Sequence, residues 1–289
     1  MKQVIFILIY LLFQVNVFSQ ALHIDAGVGL VTYNGDLQLR KFKPNTFLPA
    51  FTAGIGYRLT DHIGINGNII YGKLKGDDKK ANKPQLIARN LNFTSSLFEG
   101  NILVEYNLFS TDNQPLINPF FYAGVGAFHY NPYTFDSAGN KVFLQPLGTE
   151  GQGLPQYPDR KAYSLNQFNV PFGGGLRYRV NEQVSISAEA SFRILFTDYI
   201  DDVSTTYPDS LVLLKGRGPL SVKYSFRKNE IDPTERYPND GNRGNSGKND
   251  TYYFVLFKLS YTFPSSSNVF KSGVVKNPKS KMGCPGKVL

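Results

Sequence analysis

The segment Gly148-Thr149-Glu150-Gly151-Gln152-Gly153 has a glycine spacing that could wrap a loop around a phosphate. A phosphate loop presents its backbone N–H groups at the N-terminus of a helix that follows it directly. Here the chain continues as Leu154-Pro155-Gln156-Tyr157-Pro158, which does not begin such a helix. The sequence therefore favours an ordered loop with several positive-φ turns over a phosphate site.

A second candidate site is the acidic stretch 198–209, which contains four aspartates and no basic residue. Carboxylate oxygens are the ligands that Ca²⁺ prefers, but the spacing here is not that of an EF-hand loop. The stretch is better explained as a loop that is solvated or paired with arginine. Its four acidic residues are Asp198, Asp201, Asp202 and Asp209.

Catalysis has little support in the residue types present. The three histidines, His23, His62 and His129, form no metal-ligand pair at helical spacing, and one cysteine excludes a disulfide framework and a cysteine-based zinc site. Hydrolysis would need a nucleophile with a base within reach. His129, at the outer end of a predicted strand, is the only catalytic prospect, so we expect a protein without enzymatic activity or a cofactor.

The elements that must position these residues are strands. Short segments alternate apolar with polar or small residues, which is the pattern of a strand with one apolar face. In the first, Leu22, Ile24 and Val28 share one face, while His23 and Asp25 lie on the other. Eight such segments follow one another: 22–30, 51–59, 63–71, 90–108, 118–131, 168–180, 184–197 and 253–263. After residue 20 no segment has the pattern of a helix.

The connections between these segments alternate strictly in length. Short ones lie near 60–62, 110–118 and 181–183, and long ones near 38–46, 76–89, 132–166 and 201–249. Short periplasmic turns, longer outer loops and an even number of strands are typical of transmembrane β-barrels. The sequence therefore predicts an all-β protein, an eight-stranded antiparallel transmembrane β-barrel with long extracellular loops, short periplasmic turns and periplasmic termini.

The alternative, a soluble β-sandwich, fits less well. The apolar faces span 9–11 residues, enough to cross an outer membrane when tilted. The opposite faces carry charges, among them Glu99, Arg177 and Arg193, which suit a polar lumen. In an eight-stranded barrel the interior is filled by side chains, so these charges would form a buried ion network. We therefore expect no channel. Aromatic residues near strand ends predict girdles: Tyr33, Tyr57, Tyr71, Tyr130, Phe196, Tyr252 and Tyr261.

Both ends of the chain differ in composition from the barrel segment, 20–263. Lys2 and the apolar run 4–13 predict a signal peptide over residues 1–19. The composition of the segment 264–289 predicts a flexible basic periplasmic tail. This tail supplies +5 of the formal charge of +9, so the rest of the chain is nearly balanced in charge. A nucleic-acid partner is therefore not expected. Its candidate interaction residues are Lys271, Lys276, Lys279, Lys281, Cys284 and Lys287.

Five strings give the chain a family resemblance. They are Tyr33-Asn34-Gly35-Asp36-Leu37, Arg89-Asn90-Leu91-Asn92-Phe93, 147–153 (LGTEGQG), 197–207 (TDYIDDVSTTY), and Arg243-Gly244 followed by Asp250-Thr251-Tyr252. In this order the chain resembles the PorG-type outer-membrane proteins of the type IX secretion system of the Bacteroidota. The resemblance runs from about residue 21 to 263.

The resemblance implies a non-enzymatic barrel that links the outer membrane to a periplasmic ring and supports the export of cargo proteins. The implied partners are a PorK-like lipoprotein, a PorN-like ring protein and a PorM-like motor protein, together with outer-membrane lipid. It transfers no catalytic or ligand residue to this chain. Two other possibilities stay open: a lipid-modifying outer-membrane enzyme, and a passive OmpW-like barrel.

Overall fold

The computed structural model describes residues 22–38, 46–81, 83–113 and 115–264. The predicted signal peptide and the six candidate residues of the tail lie outside these residues and stay predictions. Nine antiparallel strands form one sheet: β1 (Leu22–Asn34), β2 (Leu48–Arg58), β3 (Ile63–Asp77), β4 (Asn92–Asn107), β5 (Ile117–Phe135), β6 (Lys141–Phe143), β7 (Asn166–Arg179), β8 (Val184–Leu195) and β9 (Thr251–Thr262).

All strands except β6 close into an eight-stranded barrel. Each pairs with its neighbours in the chain, β4 pairs with β5, and β1 pairs with β9 from His23↔Thr262 to Asn34↔Thr251. The short strand β6 pairs with the far end of β5 and extends it into a hairpin. The predicted fold class, a closed antiparallel barrel of eight strands, is confirmed.

The two faces of each strand have the predicted orientation. On β8, Ile186 and Ile194 are about half exposed on the outside, whereas Glu189 and Arg193 are buried inside. The same alternation on the other strands gives the barrel an apolar exterior, which suits contact with hydrocarbon.

The lumen contains the predicted ion network. Arg193 Nη2 lies 2.9 Å from Glu99 Oε1, and Arg177 Nη1 lies 2.8 Å from Glu105 Oε1. Lys258 Nζ lies 3.2 Å from a carboxylate oxygen of Glu189. Because an unpaired charge is costly to bury, these pairs allow the barrel to be filled by polar side chains.

Three of the predicted girdle aromatics are instead core residues. Tyr33, Tyr130 and Tyr252 are fully buried, together with Val31, Leu97 and Phe254, in an apolar layer. The reason is parity: Tyr33 lies on the same face of β1 as Asp25, and Tyr252 on the same face of β9 as Lys258, so both point inward. The other four, Tyr57, Tyr71, Phe196 and Tyr261, are exposed on the exterior.

The connections lie at opposite ends of the barrel. The described residues of the short turns 59–62, 108–116 and 180–183 lie at one end, and those of the connections 35–47, 78–91, 136–165 and 196–250 lie at the other. We call the described residues of these four connections the loop cap.

The loop cap contains helices, contrary to the prediction. Three short α-helices form, α1 (Pro84–Arg89), α2 (Ser210–Arg217) and α3 (Pro219–Ser225), besides three 3₁₀ turns. Proline at the first position initiates α1 and α3, and a side-chain cap initiates α2. A search for long periodic runs does not detect such short helices, because their signals are only one or two residues long. No helix in the described part of the chain is long and apolar enough to span a bilayer.

Candidate functional site: the loop cap

The centre of the loop cap is a buried arginine that pairs with two acids. Arg243 Nη1 lies 2.9 Å from Glu150 Oε1, and Nη2 lies 3.4 Å from Asp202 Oδ2. All three side chains are at most 2% exposed. Burial alone would lower the pKa of Arg243, but Glu150 and Asp202 raise it above its ordinary value, so the guanidinium stays charged. Glu150 belongs to the glycine-rich segment and Asp202 to the acidic stretch, so Arg243 joins both candidate sites.

The glycine-rich segment 148–153 forms an ordered loop, as predicted. Gly148, Gly151 and Gly153 have φ of +56°, +77° and +73°, which favours glycine at these turns. The N–H groups of Gly151 and Gly153 donate to Gly148 O and Arg160 O, so they serve the chain itself and not a phosphate.

The loop positions the Glu150 carboxylate for contacts with the next long connection. It accepts hydrogen bonds from Ser204 N (2.9 Å), Thr205 N (3.0 Å), Thr205 Oγ1 (2.7 Å) and Tyr199 OH (3.1 Å). The Gln152 side chain in turn accepts a hydrogen bond from Glu150 N at 2.9 Å. Glu150 thus binds two segments of the 196–250 connection at once.

Of the four candidate aspartates, one pairs with an arginine and another caps a helix. Asp202 accepts hydrogen bonds from Thr149 Oγ1 at 2.5 Å and Tyr163 OH at 2.7 Å, besides pairing with Arg243. Burial raises its pKa to about 6. Asp209 caps α2 by accepting hydrogen bonds from Leu211 N and Val212 N, both at 2.9 Å. The arginine-paired interpretation is thus confirmed for Asp202.

Asp201 shares a tyrosine hydroxyl with an acid from a different part of the chain. Tyr33 OH contacts Asp201 Oδ2 and lies 3.1 Å from Asp250 Oδ1. A phenol has one proton, so the two carboxyl oxygens share a single donor. Burial, together with nearby acids, raises the pKa of both Asp201 and Asp250 well above the ordinary range. Burial and mutual repulsion therefore favour the protonated form of these two carboxyls.

Asp198 is the fourth aspartate and has a different environment. Its side chain is 9% exposed, and no described residue forms a hydrogen bond with Oδ2. Burial raises its pKa to about 7. Within the described ranges, no group of three or more histidine, cysteine, aspartate or glutamate side chains is arranged to hold a metal ion.

Arg89 connects the first two long connections to the same centre. Its Nε lies 2.7 Å from Asp78 Oδ2, Nη2 donates to Asp36 O at 3.0 Å, and Nη1 donates to Arg243 O. Asp36 accepts a hydrogen bond from Asn245 N at 2.7 Å. All four long connections therefore meet around Arg243.

Sequence reasoning did not select Tyr33, Arg89, Arg243 or Asp250 as site residues. All four occur in the strings that carry the family resemblance. The sequence signal that points to them is the presence of Arg89 and Arg243 within these strings, in a chain where charged residues are few.

The histidine considered for catalysis lies outside this network. His129 faces outward from β5, and its Nδ1 lies 2.8 Å from Asn166 Oδ1, an amide oxygen. His62 lies in a short turn, where Nδ1 is 2.8 Å from Asn107 O.

Comparison with known proteins places this architecture in a family. The sequence model described as "Outer membrane protein beta-barrel domain" matches residues 5–209. The chain belongs to this family. As a family member it is a protein of the outer membrane, with the apolar exterior of its strands facing lipid. No curated protein matches the chain in sequence.

Several solved structures are similar in shape. The attachment invasion locus protein Ail of Yersinia pestis, crystallised with the heparin analogue sucrose octasulfate, is 8% identical over 85% of this chain and 100% of its own, with a TM-score of 0.41. Neisserial surface protein A is 11% identical over 85% of this chain and 98% of its own, with a TM-score of 0.40. The outer membrane protein OprG of Pseudomonas aeruginosa is 13% identical over 84% and 95%, with a TM-score of 0.39.

Proposed function

We propose that this family member is a non-enzymatic outer-membrane component of the type IX protein secretion system. In this role it links the outer membrane to the periplasmic ring complex and supports the export of cargo proteins. Its partners would be a PorK-like lipoprotein and a PorN-like ring protein, with a PorM-like motor protein in the same assembly.

One observation supports this assignment above the others. The five strings by which the chain resembles PorG-type proteins are far apart in sequence, yet each contributes a residue to the network around Arg243: Asp36, Arg89, Glu150, Asp202 and Arg243 itself. Because residues from all five strings contact one another in a single buried network, the strings together determine one arrangement of the loops. The resemblance therefore concerns a coherent part of the molecule and not only strand alternation, which many barrels share.

In this proposal the barrel presents different surfaces to the two sides of the membrane. The loop cap is extracellular, and the short turns and both termini are periplasmic, as is usual for such barrels. The tail beyond residue 264 then extends into the periplasm with five lysines and one cysteine. A basic segment of this kind fits an acidic surface on a ring protein.

The test is a pulldown from the native membrane. The tagged full-length chain and a variant lacking residues 265–289 are solubilised in a detergent that preserves other envelope complexes, and bound proteins are identified by mass spectrometry. We expect the full chain to recover a periplasmic lipoprotein and ring subunits, and the shortened chain to recover less of both with the barrel still folded. Recovery of the barrel alone from both preparations would contradict the secretion role. Equal recovery of the ring subunits would contradict the role of the tail.

A further inference from the structure

The exterior of the barrel has a groove within its apolar belt. It has a volume of about 770 Å³ and crosses strands β2 to β5, with Phe168 of β7 at its far end. Its floor follows one row of the sheet, in which Ala53 pairs with Ile69, Ile69 with Gly100, and Gly100 with Ala127. Small residues at three of these four positions make the wall concave.

The two outward-facing glycines of the groove, Gly67 and Gly100, are not explained by packing within the chain. A Cβ atom on Gly100 would meet nothing within 4 Å, and on Gly67 it would meet only Ile55 O at 4.0 Å. Neither residue has a positive φ. Glycine weakens a strand and often marks a place where another molecule approaches the backbone closely.

A second feature lies on the same wall, nearer the loop cap. The next exposed row is aromatic, with Phe51, Tyr71 and Phe98 aligned with His129. Beyond it, Lys73 and Lys75 project outward from β3. An aromatic row followed by lysines is the arrangement found where a membrane protein passes from hydrocarbon to lipid headgroups.

Lys73 and Lys75 form no ion pair with an acid among the described residues, although Asp77 and Asp136 lie nearby in the strand register. Asp77 Oδ1 accepts a hydrogen bond from Lys79 N at 3.0 Å. Asp136, at the tip of the β5–β6 hairpin, accepts hydrogen bonds from Ala138 N and Asn140 N. On the hairpin, Lys141 lies over the ring of Tyr133. In the strand register Tyr133 lies opposite Thr94, and Thr94 lies opposite Lys75. The three lysines outnumber the two aspartates, so the patch carries a net positive charge where headgroup phosphates would lie.

We propose that this wall binds one phosphorylated, multiply acylated glycolipid of the outer leaflet, with its phosphate on Lys73 and Lys75 and an acyl chain in the groove. Ile69 and Lys73 are four residues apart on β3, about 13 Å along the strand. One lipid can span this distance from headgroup to chain. The charge of the patch selects an anionic headgroup, and the groove selects a chain in contact with the backbone. The choice of an outer-leaflet glycolipid rests on the proposed orientation, in which the loop cap beside the lysines is extracellular.

The test measures lipid binding to the full chain in detergent by native mass spectrometry. The probes are bis-phosphorylated lipid A, dephosphorylated lipid A and phosphatidylglycerol. We expect lipid A to bind saturably to one site, and dephosphorylated lipid A and phosphatidylglycerol to bind at least tenfold more weakly. Equal binding of phosphorylated and dephosphorylated lipid A would overturn the phosphate contact. Equal or tighter binding of phosphatidylglycerol would overturn the choice of a glycolipid.

Matched variants locate the site. Lys73→Gln/Lys75→Gln should weaken lipid A binding at least tenfold, whereas Lys215→Gln/Lys248→Gln, the same charge change in the loop cap, should not. Gly100→Leu/Ala127→Leu should reduce binding by filling the groove, whereas Ala188→Leu/Ala190→Leu on the exterior of β8 should not. Each variant is checked for folding by its heat-modifiable migration on gels. Unchanged binding by folded variants of both test pairs would overturn the proposal.

Discussion

Glu150 and Arg243 form a buried ion pair at 2.9 Å although they are 93 residues apart in the chain. The pair joins the connection before β7 to the one before β9. Neither charge has access to bulk water, so each depends on the other. The arrangement of the loop cap is therefore cooperative: residues of the last connection must be in place before the earlier loops are satisfied.

Replacement of Arg243 should open the loop cap without unfolding the barrel. Arg243→Met leaves Glu150 and Asp202 buried without their cation, which typically costs about 3–5 kcal/mol. We expect limited proteolysis to cleave within 136–165 and 196–250 at least tenfold faster, while the strands stay protected. Arg236→Met, at an exposed position of the same connection, is the matched control. Equal cleavage rates for both variants would show that the ion pair does not hold the loops.

The hydroxyl of Tyr33 should have a measurable effect on the backbone around it. Tyr33→Phe removes the group shared by Asp201 and Asp250, and an unsatisfied buried polar group costs roughly 1–3 kcal/mol. Hydrogen exchange should accelerate at Ile200 N and Val203 N, which donate to Asp250 and Asp201. Tyr57→Phe, on the exterior, should leave both rates unchanged. The interpretation fails if protection at these two amides is the same in all three proteins.

The lumen pair of Glu99 and Arg193 should stabilise the barrel itself. Arg193→Met leaves Glu99, which is fully buried, without its cation, and we expect a loss of about 3–5 kcal/mol in the free energy of unfolding. The additional change Glu99→Gln should restore part of this loss because it removes the uncompensated charge. Urea unfolding in lipid vesicles, followed by gel migration, measures both. A double variant as unstable as Arg193→Met would contradict this explanation.

Closure of the loop cap should depend on pH through Asp198. Burial raises its pKa from 3.8 to about 7, so the closed cap binds a proton that the open loop releases. The stabilisation of the closed cap by the proton on Asp198 is complete below pH 4 and is lost as the pH rises through 7.

We therefore expect proteolysis of the wild-type cap to accelerate between pH 5 and pH 8. Asp198→Asn should reduce this acceleration and be the more resistant protein at pH 8. Some pH dependence should remain, because the pKa of Asp202 is raised to about 6. Identical pH profiles for wild type and variant would exclude Asp198 as the titrating group.

The barrel could be predicted from the sequence because strand parity and connection length are local properties. Alternation along β8 alone gives the exposed row of Ile186 and Ile194 and the buried row of Glu189 and Arg193. The same rule, applied strictly, would have assigned Tyr33 and Tyr252 to the interior.

The loop cap could not be predicted in the same way. Which acid Arg243 pairs with depends on how four connections fold over one another, and no periodic pattern encodes this. The helices of the cap are short, with capping signals only one or two residues long. The glycine spacing predicts that Glu150 lies in an ordered loop, but its contact with Arg243 is a tertiary relationship across 93 residues.

The pairing of β1 with β9 has a consequence for biogenesis. His23 is matched with Thr262, and Phe263 N donates to Leu22 O at 2.8 Å, so the first and last strands of the barrel complete one another. Until the final strand has been translocated and inserted, the open edge of β1 would present unpaired backbone groups to lipid, which is strongly unfavourable. A chain interrupted anywhere before β9 therefore cannot close the barrel, and pairing of β1 with β9 is the structural sign that assembly is complete.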